Sequence, residues 1–274
     1  MKDIKIIALD LDGTLLNSKK EISERTKNAL RSAAEKGVEI VPTTGRLYAA
    51  MPDSVRNLDF IHYSVNVNGA TVFDLRKKKT IINIGMDVEY SCRVMSLIDK
   101  YDVIYDCYID DIGYMNAEFI NKADQYVDPT FLKLVKDFRV PVEELKAHIS
   151  ALNKPVHKIQ LMKRNPDYIH EVYLDLMKNF PEADITSSIK DNIEICAKHA
   201  NKGESLLKLG DYLGIPRECI MACGDGGNDV NMLKHAGFAV AMENGIKQIK
   251  EIADYVAPSC DEDGVAEAVE KFVL

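Results

Sequence analysis

Four acidic residues stand directly after two apolar segments of the chain. Asp10 and Asp12 follow the first segment, and Asp225 and Asp229 follow a segment near the other end. Carboxylate oxygens are hard ligands, which suit Mg²⁺ better than zinc or copper. Four carboxylates gathered in a small space repel one another strongly, so a divalent cation is needed to keep them ionised. These residues therefore predict a magnesium site.

Other residue types in the sequence suit the binding of an anion. Lys202 supplies a point positive charge, a threonine at position 44 supplies a hydroxyl donor, and Gly13 and Gly45 let backbone N–H groups approach closely. Together with a metal, these groups can hold a phosphoryl group, and a carboxylate can attack phosphorus. Thr43 and Thr44 are adjacent, and the choice between them as the phosphate ligand stays open, with Thr44 preferred.

The elements that carry these residues read as an α/β fold. The apolar run Ile4–Leu9, a helix at Ser23–Lys36 and a second apolar run at Val38–Val41 form a strand–helix–strand unit. Such units build a doubly wound, mostly parallel, Rossmann-like sheet, in which ligands bind beyond the carboxyl ends of the strands. Further elements of this core are predicted at Asn192–Cys196, Lys202–Leu213, Cys219–Cys223, Asn228–His235, Phe238–Met242, Ile246–Ala253 and Val265–Val273.

The pattern of predicted elements and motifs changes in the middle of the chain. Residues 85–188 carry helical periodicity at Val88–Tyr101 and Tyr168–Phe180, the second helix with Asn165 as cap and Pro166 at its first position. No catalytic motif occurs in this stretch. We expect an inserted α/β cap domain there, and a discontinuous catalytic core formed by residues 1–84 and 189–274.

Composition limits the partners of the protein. Among 274 residues, 35 are Lys or Arg and 43 are Asp or Glu, so the formal net charge is −8. A broad basic face for nucleic acid or for an anionic membrane is therefore not expected. No apolar run approaches about 18 residues, and the first residues lack the uncharged core of a signal peptide. We expect a cytoplasmic protein with six reduced cysteines that acts on a small molecule, as a monomer or a homodimer.

Other motif classes explain these residues less well. A calcium loop that starts at Asp10 would end at Glu21 in the right position, but Leu15 replaces its glycine and a strand precedes it. The segment Gly224–Asp229 lacks the last glycine of a dinucleotide fingerprint. No Walker A loop and no Gly-x-Ser-x-Gly elbow occur in the sequence.

The order of these motifs resembles a known family. Asp10-Leu11-Asp12-Gly13-Thr14-Leu15 looks like the first motif of the haloacid dehalogenase superfamily of phosphotransferases, Thr44 and Lys202 resemble its second and third, and Gly224–Asp229 resembles its fourth. Three shorter stretches are similar to the Cof-type sugar-phosphate phosphatases of subclass IIB: Thr44-Gly45-Arg46, Asn68-Gly69-Ala70 and Asn201-Lys202-Gly203. The resemblance covers essentially the whole chain.

The resemblance implies a role for each residue. Asp10 attacks phosphorus, and Asp12 protonates the leaving oxygen and then activates the water that hydrolyses the aspartyl-phosphate. Phosphate contacts are implied for Thr44, Gly45 and Lys202, while Asn228 either contacts the phosphate or orients Lys202. Metal contacts are implied for Asp10, Asp12 through its backbone carbonyl, Asp225, and Asp229 through water or from a second layer. Arg46 stays ambiguous between the metal side of the site and an ion pair at a domain hinge.

Three functions share this set of residues. The first is an Mg²⁺-dependent phosphatase that acts on a small phosphorylated metabolite, with sugar phosphates as the expected class. The second is a phosphomutase or phosphotransferase, and the third is a phosphosugar sensor without turnover. Asp12 favours turnover, because a receiver needs no acid two residues after its nucleophile. Four residues of the inserted region are candidates to face the substrate, although exposure is their default: Tyr105, Asp110, Asp111 and Tyr114.

Overall fold

The computed structural model describes residues 3–127, 129–163, 169–187 and 192–274. In chain order the strands are β1 (Ile6–Leu9), β2 (Glu39–Pro42), β3 (Tyr63–Asn66), β4 (Thr71–Asp74), β5 (Lys79–Asn83), β6 (Val103–Ile109), β7 (Ile112–Asn116), β8 (Arg139–Val142), β9 (Lys158–Lys163), β10 (Ala183–Thr186), β11 (Asn192–Ala197), β12 (Ile220–Gly224), β13 (Phe238–Met242) and β14 (Tyr255–Ala257). The helices are α1 (Glu24–Glu35), α2 (Asp53–Arg56), α3 (Val88–Ile98), α4 (Ala117–Lys122), α5 (Pro129–Phe138), α6 (Leu145–Leu152), α7 (Ile169–Asn179), α8 (Lys202–Leu213), α9 (Val230–His235), α10 (Lys247–Ile252) and α11 (Gly264–Phe272).

A five-stranded parallel sheet carries both ends of the chain. Its strand order is β14-β13-β12-β1-β2, so that β1 lies between β12 and β2. In the register, Leu9 lies opposite Cys223 on one side and Pro42 on the other. The three strands therefore end at the same edge, and the predicted doubly wound parallel sheet is confirmed.

Local sequence explains the elements of this sheet. All four residues of β1 are buried, as expected for a central strand of a parallel sheet that is covered on both faces. Ser23 caps α1 by accepting the backbone N–H of Thr26, and Asn201 caps α8 in the same way at Glu204. Helix α8 spans the predicted residues and ends at Gly214, which has the left-handed backbone typical of a helix end.

The chain divides into two compact units. The first comprises Met1–Gly45, Met51–Ile82 and Asn201–Leu274, and the second comprises Arg46–Ala50 and Asn83–Ala200. The second unit has its own six-stranded sheet in the order β10-β11-β9-β6-β7-β8, antiparallel except for the β7–β8 pair. One apolar core of this unit includes Val94, Met95, Ile149, Ile159 and Leu176, with all five fully buried.

Strand β11 corrects the sequence analysis, which placed Asn192–Cys196 in the catalytic core. It pairs antiparallel with β9 and β10 in the second unit, where Ile195 lies opposite Ile159 and Ile185. A short apolar strand shows its own periodicity but not its partners, so the sequence alone does not assign it to a sheet. The predicted boundary at 188/189, and the predicted helix start at Asn165, Pro166 and Tyr168, lie outside the described residues.

Two findings bear on the class of protein. Among the described residues, no helix combines the length and the apolar character needed to span a membrane. All six cysteines lie in the described part of the chain and have free thiols.

Candidate active site

Asp10 stands at the end of β1, beside the end of β12. Its backbone N–H donates to the carbonyl of Cys223 at 3.0 Å, so the chain after β1 continues along β12 for one more residue. One carboxylate oxygen from each of Asp10, Asp225 and Asp229 lies within 4.8 Å of the other two. The fold thus brings together three of the four acidic side chains that the sequence predicts as a metal site.

Lys202 contacts two of these carboxylates. Its Nζ lies 2.5 Å from Asp10 Oδ1 and 2.6 Å from Asp229 Oδ1, and its side chain is fully buried. Lys202 is the first residue of α8, so the start of that helix sets where the ammonium lies. The buried ammonium therefore joins two acidic residues from opposite ends of the chain.

A close backbone contact fixes the start of α8. Gly69 has a φ of +101°, and a Cβ at this position would lie 2.3 Å from the carbonyl oxygen of Asn201. Ser205 of the first helical turn donates its hydroxyl to the Gly69 carbonyl at 2.6 Å. Glycine at position 69 therefore lets the 67–69 turn pack against the residue that precedes Lys202.

The loop after β12 folds around the Asp229 carboxylate. Asp229 Oδ2 accepts the backbone N–H groups of Asp225 and Gly226, both at 2.9 Å, while Oδ1 faces Lys202. Both oxygens of Asp229 are thus engaged by protein donors. Its main contribution in this arrangement is to hold the loop and the lysine in place.

Asp225 is held by the loop after β1. Thr14 Oγ1 donates to Asp225 Oδ1 at 2.8 Å. Gly13 has a φ of +86°, and a Cβ there would lie 2.4 Å from Asp225 Oδ2. Glycine at position 13 is therefore required for the two acidic loops to approach each other, and the Asn244 side chain supports it by donating to the Gly13 carbonyl at 2.8 Å.

The carboxylates of the cluster oppose one another electrostatically. Burial and the neighbouring Asp229 raise the pKa of Asp10 well above its ordinary value, although Lys202 acts in the other direction. Burial and Asp229 also raise the pKa of Asp225, to about 6. Burial by itself would lower the pKa of Lys202, but Asp10 and Asp229 outweigh it and raise that pKa. The cluster therefore has an excess of negative charge that a further cation would relieve.

Asp12 lies in a different environment from Asp10. Its carboxylate forms an ion pair with Lys20, with Oδ1 at 2.8 Å from Nζ, and it is not a member of the three-carboxylate cluster. The predicted metal contact of Asp12 involves its backbone carbonyl and stays a prediction. Glu21, which the calcium-loop alternative requires, is exposed and is also outside the cluster.

Threonines 43 and 44 follow β2 at the same edge of the sheet. The Thr43 hydroxyl donates back to the carbonyl of Val41 at 3.1 Å. Thr44 is buried, and its backbone is fixed by hydrogen bonds to Val65 and Asn68 of the neighbouring segment, at 2.9 and 3.0 Å. The structure thus anchors the chain immediately before Gly45.

Within the part of the chain that the structure describes, no hydrogen bond joins Asn228 to Lys202, so a role of Asn228 in orienting Lys202 is not supported. Its Nδ2 donates to Asn68 Oδ1 at 3.3 Å. Asn68 has a left-handed backbone with a φ of 54°, a conformation in which asparagine is enriched. The contact joins the loop after β12 to the 67–69 turn.

Two functional candidates were missed by the sequence analysis. Lys20 pairs with Asp12, and Asn244 joins the loop after β1 to Cys260, whose N–H it accepts at 2.9 Å. Neither lies in a recognisable motif, because both act through tertiary contacts. Thr14 belongs to the first motif. Its polar side chain directly after Gly13 is the sequence feature that could have indicated its contact with Asp225.

The four residues of the second unit that were candidates to face the substrate have different environments. Tyr105 is buried and donates its hydroxyl to Asp99 at 2.7 Å, so the hypothesis that it faces a substrate is not supported. Asp111 accepts the backbone N–H groups of Tyr48 and Ala49, at 2.6 and 2.9 Å. Asp110 pairs with a lysine, and the Tyr114 ring lies near a histidine.

Removing one charge from the cluster should stabilise the metal-free protein. In EDTA at about pH 7.5, we expect Asp225→Asn to raise the melting temperature, since the amide keeps an oxygen that can accept from Thr14. The folded-state pKa of about 6 exceeds the ordinary 3.8, so the native state takes up this proton first as the pH falls. The penalty is therefore present above about pH 6 and is lost toward pH 4, and the advantage of the variant should shrink accordingly.

Asp59→Asn is the matched control for this experiment. Asp59 is exposed, and its hydrogen bond to Arg31 lowers its pKa, so its replacement should not raise the melting temperature. Thermal melts of both variants at several pH values make the comparison. A melting temperature of Asp225→Asn below that of wild type in EDTA would show that repulsion within the cluster does not dominate.

Removing the buried ammonium should have the opposite effect. Lys202→Met leaves Asp10 and Asp229 buried side by side without their cation, and such a loss costs about 3–5 kcal/mol of unfolding free energy. Adding Asp229→Asn to this variant should restore part of the loss. Urea unfolding in EDTA measures both effects, and equal stability of Lys202→Met and wild type would contradict the argument.

Comparison with known proteins agrees with this geometry. Residues 7–269 match the family of haloacid dehalogenase-like hydrolases. The chain is 32% identical over 278 residues to the 5-amino-6-(5-phospho-D-ribitylamino)uracil phosphatase YcsE of Bacillus subtilis, with 99% of this chain and 97% of the relative covered.

Solved structures give the same result. A haloacid dehalogenase-like hydrolase from Bacillus subtilis superposes with a TM-score of 0.85 at 28% identity, covering 98% of this chain and 100% of the other. The HAD subclass IIB sugar phosphatase BT4131 superposes with a TM-score of 0.81 at 26% identity, covering 98% of both chains. A family match over nearly the whole chain, relatives named as phosphatases and a shared fold together show that this chain belongs to the haloacid dehalogenase-like hydrolases and is a Cof-type phosphatase.

Proposed function

We propose that this phosphatase hydrolyses phosphomonoesters of small metabolites, with sugar phosphates and sugar-alcohol phosphates as the substrate class. The reaction uses Mg²⁺, forms an aspartyl-phosphate on Asp10 and uses Asp12 as general acid and base. The single observation that carries the proposal is the contact of Lys202 with Asp10 inside the three-carboxylate cluster. A nucleophile, a cation and further acidic ligands are thereby gathered where β1 and β12 end and α8 begins.

The donor set suits a hard divalent cation. Asp10, Asp225 and Asp229 offer carboxylate oxygens within 4.8 Å of one another, and the Lys202 ammonium contacts only two of these three carboxylates. Oxygen ligands of this kind, without Cys or His among them, favour Mg²⁺ over zinc or copper. We assign the metal to Asp10 and Asp225 together with the Asp12 backbone carbonyl, with Asp229 acting through water or from a second layer because both of its oxygens already accept from protein donors. When bound, Mg²⁺ supplies positive charge that neutralises phosphoryl oxygens and keeps Asp10 ionised.

In the first step, an Asp10 carboxylate oxygen attacks phosphorus. The bond from phosphorus to the ester oxygen breaks, and that oxygen takes its electron pair and a proton from Asp12. Lys202 stands against Asp10 and can stabilise charge on the phosphoryl oxygens, together with Thr44, the Gly45 backbone and Asn228. Thr44 is preferred to Thr43 because the Thr43 hydroxyl already donates to Val41.

In the second step, water attacks the phosphorus of the aspartyl-phosphate. Asp12 accepts a proton from this water, and the bond from phosphorus to the Asp10 oxygen breaks. Asp10 is regenerated as a carboxylate and inorganic phosphate leaves. The different environments of the two carboxylates suit this division of roles, since Asp10 is buried beside Lys202 whereas Asp12 is partly exposed.

The substrate class rests on relatives of this chain. One is named for the phosphate ester of a ribityl side chain and another is called a sugar phosphatase. Both names describe a phosphate carried by a polyhydroxylated carbon chain. We propose that the second unit, as an inserted cap, selects among such substrates.

The test is phosphate release from a panel of sugar phosphates, ribitol 5-phosphate and p-nitrophenyl phosphate. We expect activity with Mg²⁺, none with EDTA, and background activity for Asp10→Asn. Asp12→Asn should lower the rate on sugar phosphates by about 10²–10⁴-fold. Asp59→Asn, which replaces an exposed carboxylate of the same unit, is the control and should match wild type.

Other outcomes identify the alternatives. Isomerised sugar without free phosphate would indicate a mutase, and a stable phosphoprotein without turnover would indicate a sensor. Release of phosphate by Asp10→Asn at the wild-type rate would exclude Asp10 as the nucleophile.

A further inference from the structure

A compact turn at residues 17–21 follows the loop after β1, residues 10–16, which is called the catalytic loop below because it carries Asp10 and Asp12. Asn17 Oδ1 accepts the backbone N–H groups of both Lys19 and Glu21, each at 3.0 Å. The Asn17 N–H donates to the Glu21 carbonyl at 3.0 Å, and the Lys20 N–H donates to the Asn17 carbonyl at 2.9 Å. One asparagine therefore organises the turn through side chain and backbone together.

The far end of the sequence holds this turn in place. Asp261 Oδ1 accepts the Ser18 N–H at 2.8 Å, across 243 positions of sequence. The adjacent Cys260 N–H donates to Asn244, whose side chain also donates to the Gly13 carbonyl of the catalytic loop. The same segment thus fixes the turn and the catalytic loop relative to each other.

Lys20 is the residue that this turn presents to the catalytic loop. Its φ is 63°, a left-handed value that is unusual for lysine, and its Nζ lies 2.8 Å from Asp12 Oδ1. The two side chains are 50% and 32% exposed, and ion pairs this accessible contribute little to stability. Stability therefore does not account for a strained backbone that carries a lysine to this position.

We propose that Lys20 is a positioning residue for the general acid and base. By binding Asp12 Oδ1, its ammonium restricts rotation of the carboxylate and holds it in the orientation from which it exchanges protons with the leaving oxygen and with water. The inference rests on the function proposed above for Asp12. The turn at residues 17–21, which lies outside the motifs named above, thereby influences proton transfer by Asp12.

The test compares two substrates that differ in their need for an acid. The sugar released from a sugar phosphate would leave as an unstabilised alkoxide and therefore requires protonation, whereas the p-nitrophenolate released from p-nitrophenyl phosphate is stabilised and does not. For Lys20→Met, we expect kcat/KM on the best sugar phosphate of the panel to fall about tenfold relative to that on p-nitrophenyl phosphate. This ratio reports the step in which the ester bond breaks, so slow hydrolysis of the aspartyl-phosphate does not affect it.

One further variant tests rescue by a second cation, and another serves as the control. Lys20→Arg keeps a cation at the tip of the turn and should restore much of the ratio. Lys19→Met removes the neighbouring exposed lysine and should leave both substrates unaffected. Thermal melts of all three variants verify that they fold as wild type does.

The outcomes separate this inference from the proposed function. If Asp12→Asn strongly lowers the ratio but Lys20→Met lowers both substrates equally, raises only KM or changes nothing, Lys20 does not position Asp12. If Asp12→Asn itself leaves the ratio unchanged, the role proposed for Asp12 is wrong. A lowered ratio in both variants, with rescue by arginine, supports the positioning role.

Discussion

The contact of one buried ammonium with two buried carboxylates sets the conditions for the rest of this site. Lys202 lies between Asp10 and Asp229, and Asp225 adds a third carboxylate within 4.8 Å of the other two. Burying charges is costly unless each one has partners, and here negative charge exceeds positive charge. The surrounding structure has to hold this unfavourable group of charges in place. Three elements do so, since β1, β12 and α8 converge from distant parts of the chain.

The contacts around the cluster differ between its carboxylates. Asp229 is engaged at both oxygens, by Lys202 and by two backbone N–H groups, so it keeps the acidic loop closed. Asp225 accepts from the Thr14 hydroxyl and is partly exposed, and its pKa is raised to about 6. An acidic residue that is held less completely is the one best suited to meet a cation. Stability of the metal-free protein and readiness for metal are thus opposed within one cluster.

The two aspartates of the first motif illustrate how a short segment creates two chemical environments. The backbone of Asp10 still pairs with β12, and its side chain contacts Lys202. Asp12 lies beyond the end of β1, and its side chain contacts Lys20. A nucleophile benefits from a buried site beside a cation, and an acid that exchanges protons with substrate and water benefits from access to both. The turn at residues 17–21 contributes to the difference between the two environments, because it brings Lys20 to the more exposed carboxylate of Asp12.

Much of this protein follows from its sequence, since apolar runs, caps and turn residues act locally. The parallel sheet, the bounds of α8 and the four acidic residues at strand ends follow from periodicity and residue type. Which residues meet is decided by pairings across the chain, and the sequence does not encode these in any local signal. For that reason the sequence predicts the wrong unit for β11, and no motif marks Lys20 or Asn244 although both contact the loop after β1. Local physics determines which elements form and which chemistry they carry, whereas only tertiary contacts decide which charges share a site.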